Sequence, residues 1–149
     1  MAYTLQAFIG DLPDFEQNAL SGMKVIPLDR EKALIPLTDD LREVHEVSFL
    51  SLLEDGSGEM PLSIESIAKL FKGPVAYVEA EFFGGDGTQA SAVWKERGLV
   101  FGPLASPRAI NEALRLLSVE KGEHYDEFEA LRLGKYRDTN DWIGLPKLS

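Results

Sequence analysis

The chain of 149 residues contains no cysteine, which excludes disulfide cross-links, thiolate metal centres and a cysteine nucleophile. Histidine is almost as scarce. His45 and His124 are the only two, and neither stands in H-E-x-x-H or another metal-ligating spacing, so both read as surface or partly buried side chains and no metal is expected. No serine occupies a G-x-S-x-G elbow, and no G-x-x-x-x-G-K-[ST] phosphate loop occurs. Long apolar runs are missing as well: no window reaches the ~20 residues of a membrane-crossing helix. Residues 1–10 lack the basic start and apolar stretch of a secretory leader. A cytoplasmic location without membrane contact is therefore expected.

Positive charge is in short supply. Lys and Arg number 15 against 25 Asp and Glu, a net charge of −10. Such a field repels phosphate backbones and anionic membrane surfaces, so nucleic acid is not expected as a partner. It would draw in a basic protein and speed the encounter, or simply keep a cytosolic protein soluble. What is present is ordinary for a globular chain: 44% of residues are apolar and 27% charged, in a length that suits one domain spanning residues 1–149.

The opening Tyr3-Thr4-Leu5-Gln6-Ala7-Phe8-Ile9 alternates large apolar with polar or small residues, the pattern of a half-buried strand ending at Gly10. Lys24-Val25-Ile26-Pro27-Leu28-Asp29 is echoed by Ala33-Leu34-Ile35-Pro36-Leu37-Thr38 across a charged turn. This suggests two short strands whose prolines belong at edges or ends, because proline donates no ladder hydrogen bond. Thr38 or Asp39 can cap a short helix through Leu41 and Val44. Residues 48–53 suit a strand or a helix end, and residues 54–59 read as an exposed loop. After Ser63, the apolar residues Ile64, Ile67, Ala68 and Phe71 recur at helical spacing until Gly73-Pro74.

From residue 75 to about 102, three apolar stretches are separated by short turns, Gly84-Gly85-Asp86-Gly87 and residues 95–98. Together they predict a three-stranded antiparallel meander. Ser106-Pro107 predicts a helix start with Ile110, Ala113, Leu114 and Leu117 as its buried stripe. A second short helix is expected over 126–133, and a tail carrying Trp142 that packs back on the body, with Thr139 as a helix cap. The fold class is α+β: an antiparallel sheet with a central meander and two to four helices packed on one face.

Several groups of residues invite a functional reading. Gly84-Gly85-Asp86-Gly87-Thr88 resembles the glycine-rich phosphate loop of diacylglycerol and NAD kinases. Here it is followed by Gln89-Ala90-Ser91-Ala92-Val93-Trp94, which alternates like a strand, so a glycine-dependent hairpin turn is the simpler account. The run from Asp138 begins like a calcium loop but has Ile143 where glycine is needed and Ser149 at its twelfth position, which excludes it. Arg132, Lys135 and Arg137 form a local basic spot.

On the predicted central strand, Tyr77, Glu79, Glu81 and Phe83 point to one side and Ala76, Val78, Ala80 and Phe82 to the other. Carboxylates about 7 Å apart along a strand can act as an acid–base pair, face solvent, or join aromatics in a docking patch. With Asp86 at the turn, these residues form the candidate partner- or ligand-binding set. No catalytic residue, cofactor or metal is assigned.

The segment Ala76-Tyr77-Val78-Glu79-Ala80-Glu81-Phe82-Phe83-Gly84-Gly85, with Val93-Trp94 and Ile110-Asn111-Glu112-Ala113-Leu114, resembles segments of small uncharacterised bacterial proteins. Some of those are similar to the immunity proteins that neutralise secreted toxins. The resemblance covers roughly the second half of the chain and implies a non-enzymatic acidic protein that docks a basic partner. It transfers no functional residues. Two other readings stay open: a small enzyme or ligand-binding domain using Glu79, Glu81 and Asp86 near the glycine turn, or a structural subunit of a homo-oligomer.

Overall fold

The computed structural model describes residues 3–55, 58–83 and 86–143. Six antiparallel strands form one sheet in the order β2-β3-β1-β4-β5-β6, where β1 is Tyr3–Asp11, β2 Ile26–Pro27, β3 Lys32–Pro36, β4 Val75–Phe83, β5 Asp86–Lys95 and β6 Gly98–Ala105. The α+β class and the meander are as the alternation predicts, and β6 runs a few residues beyond the expected end. Strand β1 differs from expectation. Instead of being half-buried it lies in the middle of the sheet, with Leu5, Ala7 and Ile9 buried on one face and Phe8 on the other. Pro27 falls in the two-residue edge strand β2, and Pro36 ends β3, positions where a missing donor costs little.

Buried side chains of β1, β4 and β5 lie on both faces of the sheet, and the helices divide between those faces rather than lying on one. Helices α5 (Ala109–Leu116) and α6 (Glu127–Ala130), with a 3-10 helix at Thr139–Ile143, bury Ile110, Leu114, Leu131 and Trp142 against Leu5, Val78 and Val93. On the opposite face lie α1 (Leu12–Asn18), α2 (Asp39–His45), α3 (Ser51–Asp55) and α4 (Leu62–Ala68). They bring Phe15, Leu41, Leu52, Ile64 and Phe71 onto Phe8, Tyr77 and Trp94. Each such large side chain contributes about 1.5–3 kcal/mol by leaving water.

The local signals are used as expected in most places. Thr38 Oγ1 accepts the Leu41 N–H to cap α2, and Asp126 accepts the Glu129 N–H to cap α6. Residues 48–53 resolve in favour of helix, since they lead into α3, which absorbs Glu54 from the expected loop; residues 56–57 of that loop lie outside the described residues. Ser106 Oγ accepts the Arg108 N–H one turn before α5 begins.

The tail does more than pack back. Strand β3 pairs with β1 only from Ala7 onward, which leaves the first part of β1 without a strand on that side. The segment 137–139 fills the place: Thr4 N–H donates to Arg137 O at 2.8 Å and Gln6 N–H to Thr139 Oγ1 at 3.1 Å, while the Thr139 hydroxyl donates to Thr4 O. Thr139 is therefore occupied by β1 instead of capping a helix, and Asp138 Oδ2 takes the cap by accepting the Asn140 N–H. Among the described residues no helix is long and apolar enough to cross a membrane.

Candidate functional site

Strand β4 places Tyr77, Glu79 and Glu81 on one side, as the alternation requires, but that side is covered. Segment 48–53 and α3 lie across it, and both Tyr77 and Glu79 are fully buried. The Glu79 carboxylate accepts the Leu52 N–H at 2.9 Å, the Leu53 N–H at 3.0 Å and the Tyr77 hydroxyl. Gln6, opposite Glu79 on the neighbouring strand, donates to Tyr77 Oη at 2.8 Å and to Ser48 O at 3.0 Å, and accepts the Leu50 N–H at 3.1 Å. Gln6, Tyr77 and Glu79 thus form a polar row through the sheet that ties down the main chain of 48–53. Buried donors and acceptors demand partners, and here each supplies the other's.

This row is an internal clamp, which removes Tyr77 and Glu79 from the expected partner-facing surface. Burial pushes the Glu79 carboxyl above its usual range, opposed by the hydrogen bonds from Leu52, Tyr77 and Leu53, and the charge of Glu54 pushes it further up. Burial likewise drives the Tyr77 hydroxyl well above its ordinary value, and the Glu79 carboxylate adds to the shift. A raised carboxyl of this kind can mark a catalytic acid. Here its oxygens are taken up by structural donors, and the cleft beside it, about 350 Å³ and lined by Ser48, Phe49, Ser51, Glu54, Pro61 and Ser63, is not lined by Glu79 or Glu81. Glu81 is half-buried. Phe83 and Asp86 are the last paired residues of the β4–β5 hairpin; their side chains, and Gly84-Gly85, lie outside the described residues.

Exposed acidity gathers instead around α2. Leu41 enters the core, while Asp40, Glu43 and Val44 are exposed, with Glu46 just past the helix end. Val44 is 74% exposed. Arg42 is held by Asp39 at 2.5 Å and lies over the Phe49 ring at 5.1 Å. Among the described residues no ion pair is made by Asp40, Glu43 or Glu46. A groove runs on each side of the helix. One, about 250 Å³, is lined by Val44, Asp40, Pro36 and Lys24; the other, about 440 Å³, by His45, Glu46, Leu20, Leu62, Ile67 and Leu70. Leu20 is 43% and Leu62 81% exposed. Apolar anchors inside a charged rim are the usual anatomy of a protein-docking surface.

Of the residues expected to bind, Tyr77 and Glu79 are buried away from this surface and Glu81 lines neither groove. Val44, three residues after Leu41, reads from spacing as part of the same apolar stripe, and only the structure shows it 74% exposed. Among the described residues no group of three acidic or histidine side chains is arranged to hold a metal. Compared with known protein families, curated proteins and solved structures, the chain matches none.

Proposed function

We propose that this is a non-enzymatic binding protein, immunity-like in occluding a basic protein partner such as a nuclease toxin in the cytoplasm, and that the α2 face makes the contact. The observation that carries the reading is Val44, 74% exposed, standing among Asp40, Glu43 and Glu46, none of which has an ion-pair partner among the described residues. An exposed valine beside carboxylates that make no ion pair among the described residues fits a contact surface. In a complex it would be the desolvated anchor, and the carboxylates would steer and orient a cationic surface.

The test is coexpression with the products of neighbouring genes, followed by isolation at low salt, where steering is strongest. A basic product retained by the wild type should be lost from the triple variant Asp40→Lys, Glu43→Lys, Glu46→Lys, and its binding should weaken by about tenfold or more for Val44→Asp. Retention of no partner at low salt refutes the function. A partner held equally by the variants refutes the α2 face alone.

A further inference from the structure

The basic spot at residues 132–137 takes no part in the α2 face, and it borders a cleft of its own. Segment 26–29 around the edge strand β2, residues from the end of α6 and Trp142 of the 3-10 helix line a space of about 150 Å³. Ile26, Leu28 and Trp142 supply its apolar part, packed on the core of that face. Its charged lining is Arg132, Lys135 and Asp29, two cations against one anion in a chain whose net charge is −10. Arg132 Nε lies 3.3 Å from Asp29 Oδ2, which leaves its two Nη groups without a partner among the described residues. Lys135 makes no ion pair among the described residues; its ammonium lies over the Tyr136 ring, 5.4 Å from the centre.

Trp142 adds a donor that folding leaves unused. The side chain is 6% exposed, its ring meets Tyr136 edge-on at 4.9 Å, and its Nε1–H finds no acceptor among the described residues. Buried donors are nearly always paired. Trp94 Nε1–H is unpaired too, but that ring is fully buried in the apolar core of the opposite face, whereas Trp142 lines a cleft beside two cations. We propose that this cleft binds a carboxylate carried on a small apolar body, held by the Arg132 Nη groups and the Lys135 ammonium, with the Trp142 N–H as third donor. Guanidinium pairs with carboxylates and phosphates alike, and the apolar lining decides between them. Inorganic phosphate would leave Ile26 and Leu28 beside a hydrated ion, whereas an aliphatic group covers them. The space equals that of about five water molecules, so the body is no larger than a leucine side chain. The carboxylate can belong to a free acid or to the C-terminal residue of a polypeptide.

Proton–nitrogen spectra of the full chain carry two indole signals, from Trp94 and Trp142, the second identified by its loss in Trp142→Phe. Titration with 4-methylpentanoate should move the Trp142 signal saturably, with a Kd on the order of 1 mM, and leave the Trp94 signal in place. 4-Methylpentanamide and inorganic phosphate should bind about tenfold more weakly or worse. Arg132→Gln combined with Lys135→Gln, both at exposed positions where folding does not need them, should weaken binding by about tenfold or more. Asp29→Asn, which frees Arg132, should tighten it by about threefold. A tetrapeptide ending in leucine, compared with its C-terminal amide, separates the two sources: binding tighter than that of the free acid assigns the site to the end of a polypeptide, and weaker binding assigns it to a free acid. A Trp142 signal that stays in place or is still unsaturated at about 10 mM, equal binding of the amide or of phosphate, equal binding by the double glutamine variant, or weaker binding by Asp29→Asn overturns the proposal.

Discussion

Replacing Glu79 with alanine tests whether the buried row is a structural clamp. The substitution removes the acceptor of three donors, the Leu52 and Leu53 amides and the Tyr77 hydroxyl. An unsatisfied buried donor costs about 1–3 kcal/mol, and the vacated space adds roughly 1 kcal/mol. Against this, a carboxylate no longer has to be stripped of water, which returns several kcal/mol. The balance is a loss of about 3 kcal/mol, a large share of the ~5–15 kcal/mol that holds a domain together, and a fall in Tm of about 10 °C.

Glu79→Gln separates charge from shape, because it keeps an acceptor for the α3 amides but does not titrate. Folding raises the Glu79 carboxyl above 4.5, so the folded state holds that proton more tightly than the unfolded state does. The group's contribution therefore favours folding below about pH 4.5 and is lost as pH rises through the raised value. Urea unfolding followed by tryptophan fluorescence should show the stability of Glu79→Gln, measured relative to wild type, increasing from acid toward neutral pH. Buried Trp94 and Trp142 make the probe sensitive. A wild-type–Gln difference that is flat with pH, or a loss below about 1 kcal/mol for alanine, would refute the reasoning.

Two further substitutions probe the frame around the candidate surfaces. The turn between β5 and β6 is made by Glu96 and Arg97 at φ 52° and 65°, the conformation that Asn-Gly adopts with least strain. Glu96→Asn with Arg97→Gly should therefore raise stability by about 1–2 kcal/mol in thermal unfolding, and a lower Tm would contradict it. Thr139→Val keeps the shape but deprives the Gln6 N–H of its acceptor. It should cost about 1–2 kcal/mol and speed exchange of that amide, with Thr139→Ser restoring most of the loss; a neutral valine would show that the tail is not needed there.

Periodicity made the meander and the stripes of α4 and α5 legible, because each rests on contacts set by spacing along the chain. What alternation could not reveal is what covers a strand. Glu79 sits at a position that reads as solvent-facing on a two-sided sheet, and only the placement of 48–53 across β4 turns it inward. The same limit applies to β1, whose polar Thr4 and Gln6 suggest one wet face. Gln6 is 1% exposed, its amide spent on Tyr77, Ser48 and Leu50. The α2 face is illegible for the opposite reason: its acids look like ordinary helix surface and its valine like part of the Leu41 stripe until the neighbouring grooves are seen, with no ion pair to these acids among the described residues.

The strap across β1 also bears on how the chain reaches its fold. Strand β1, one of the two central strands, precedes both of its partners, β3 and β4, in the chain. It waits for β4, and the last bonds along its flank come from Thr139, 133 positions further on. Until then the main-chain groups of Thr4 and Gln6 that 137–139 will bind, on either side of Leu5, stay open to any extended neighbour. Closing so long a loop late, for a few hydrogen bonds, favours slow folding with a vulnerable interval. The short segment 137–139 therefore acts as the latch that ends that interval.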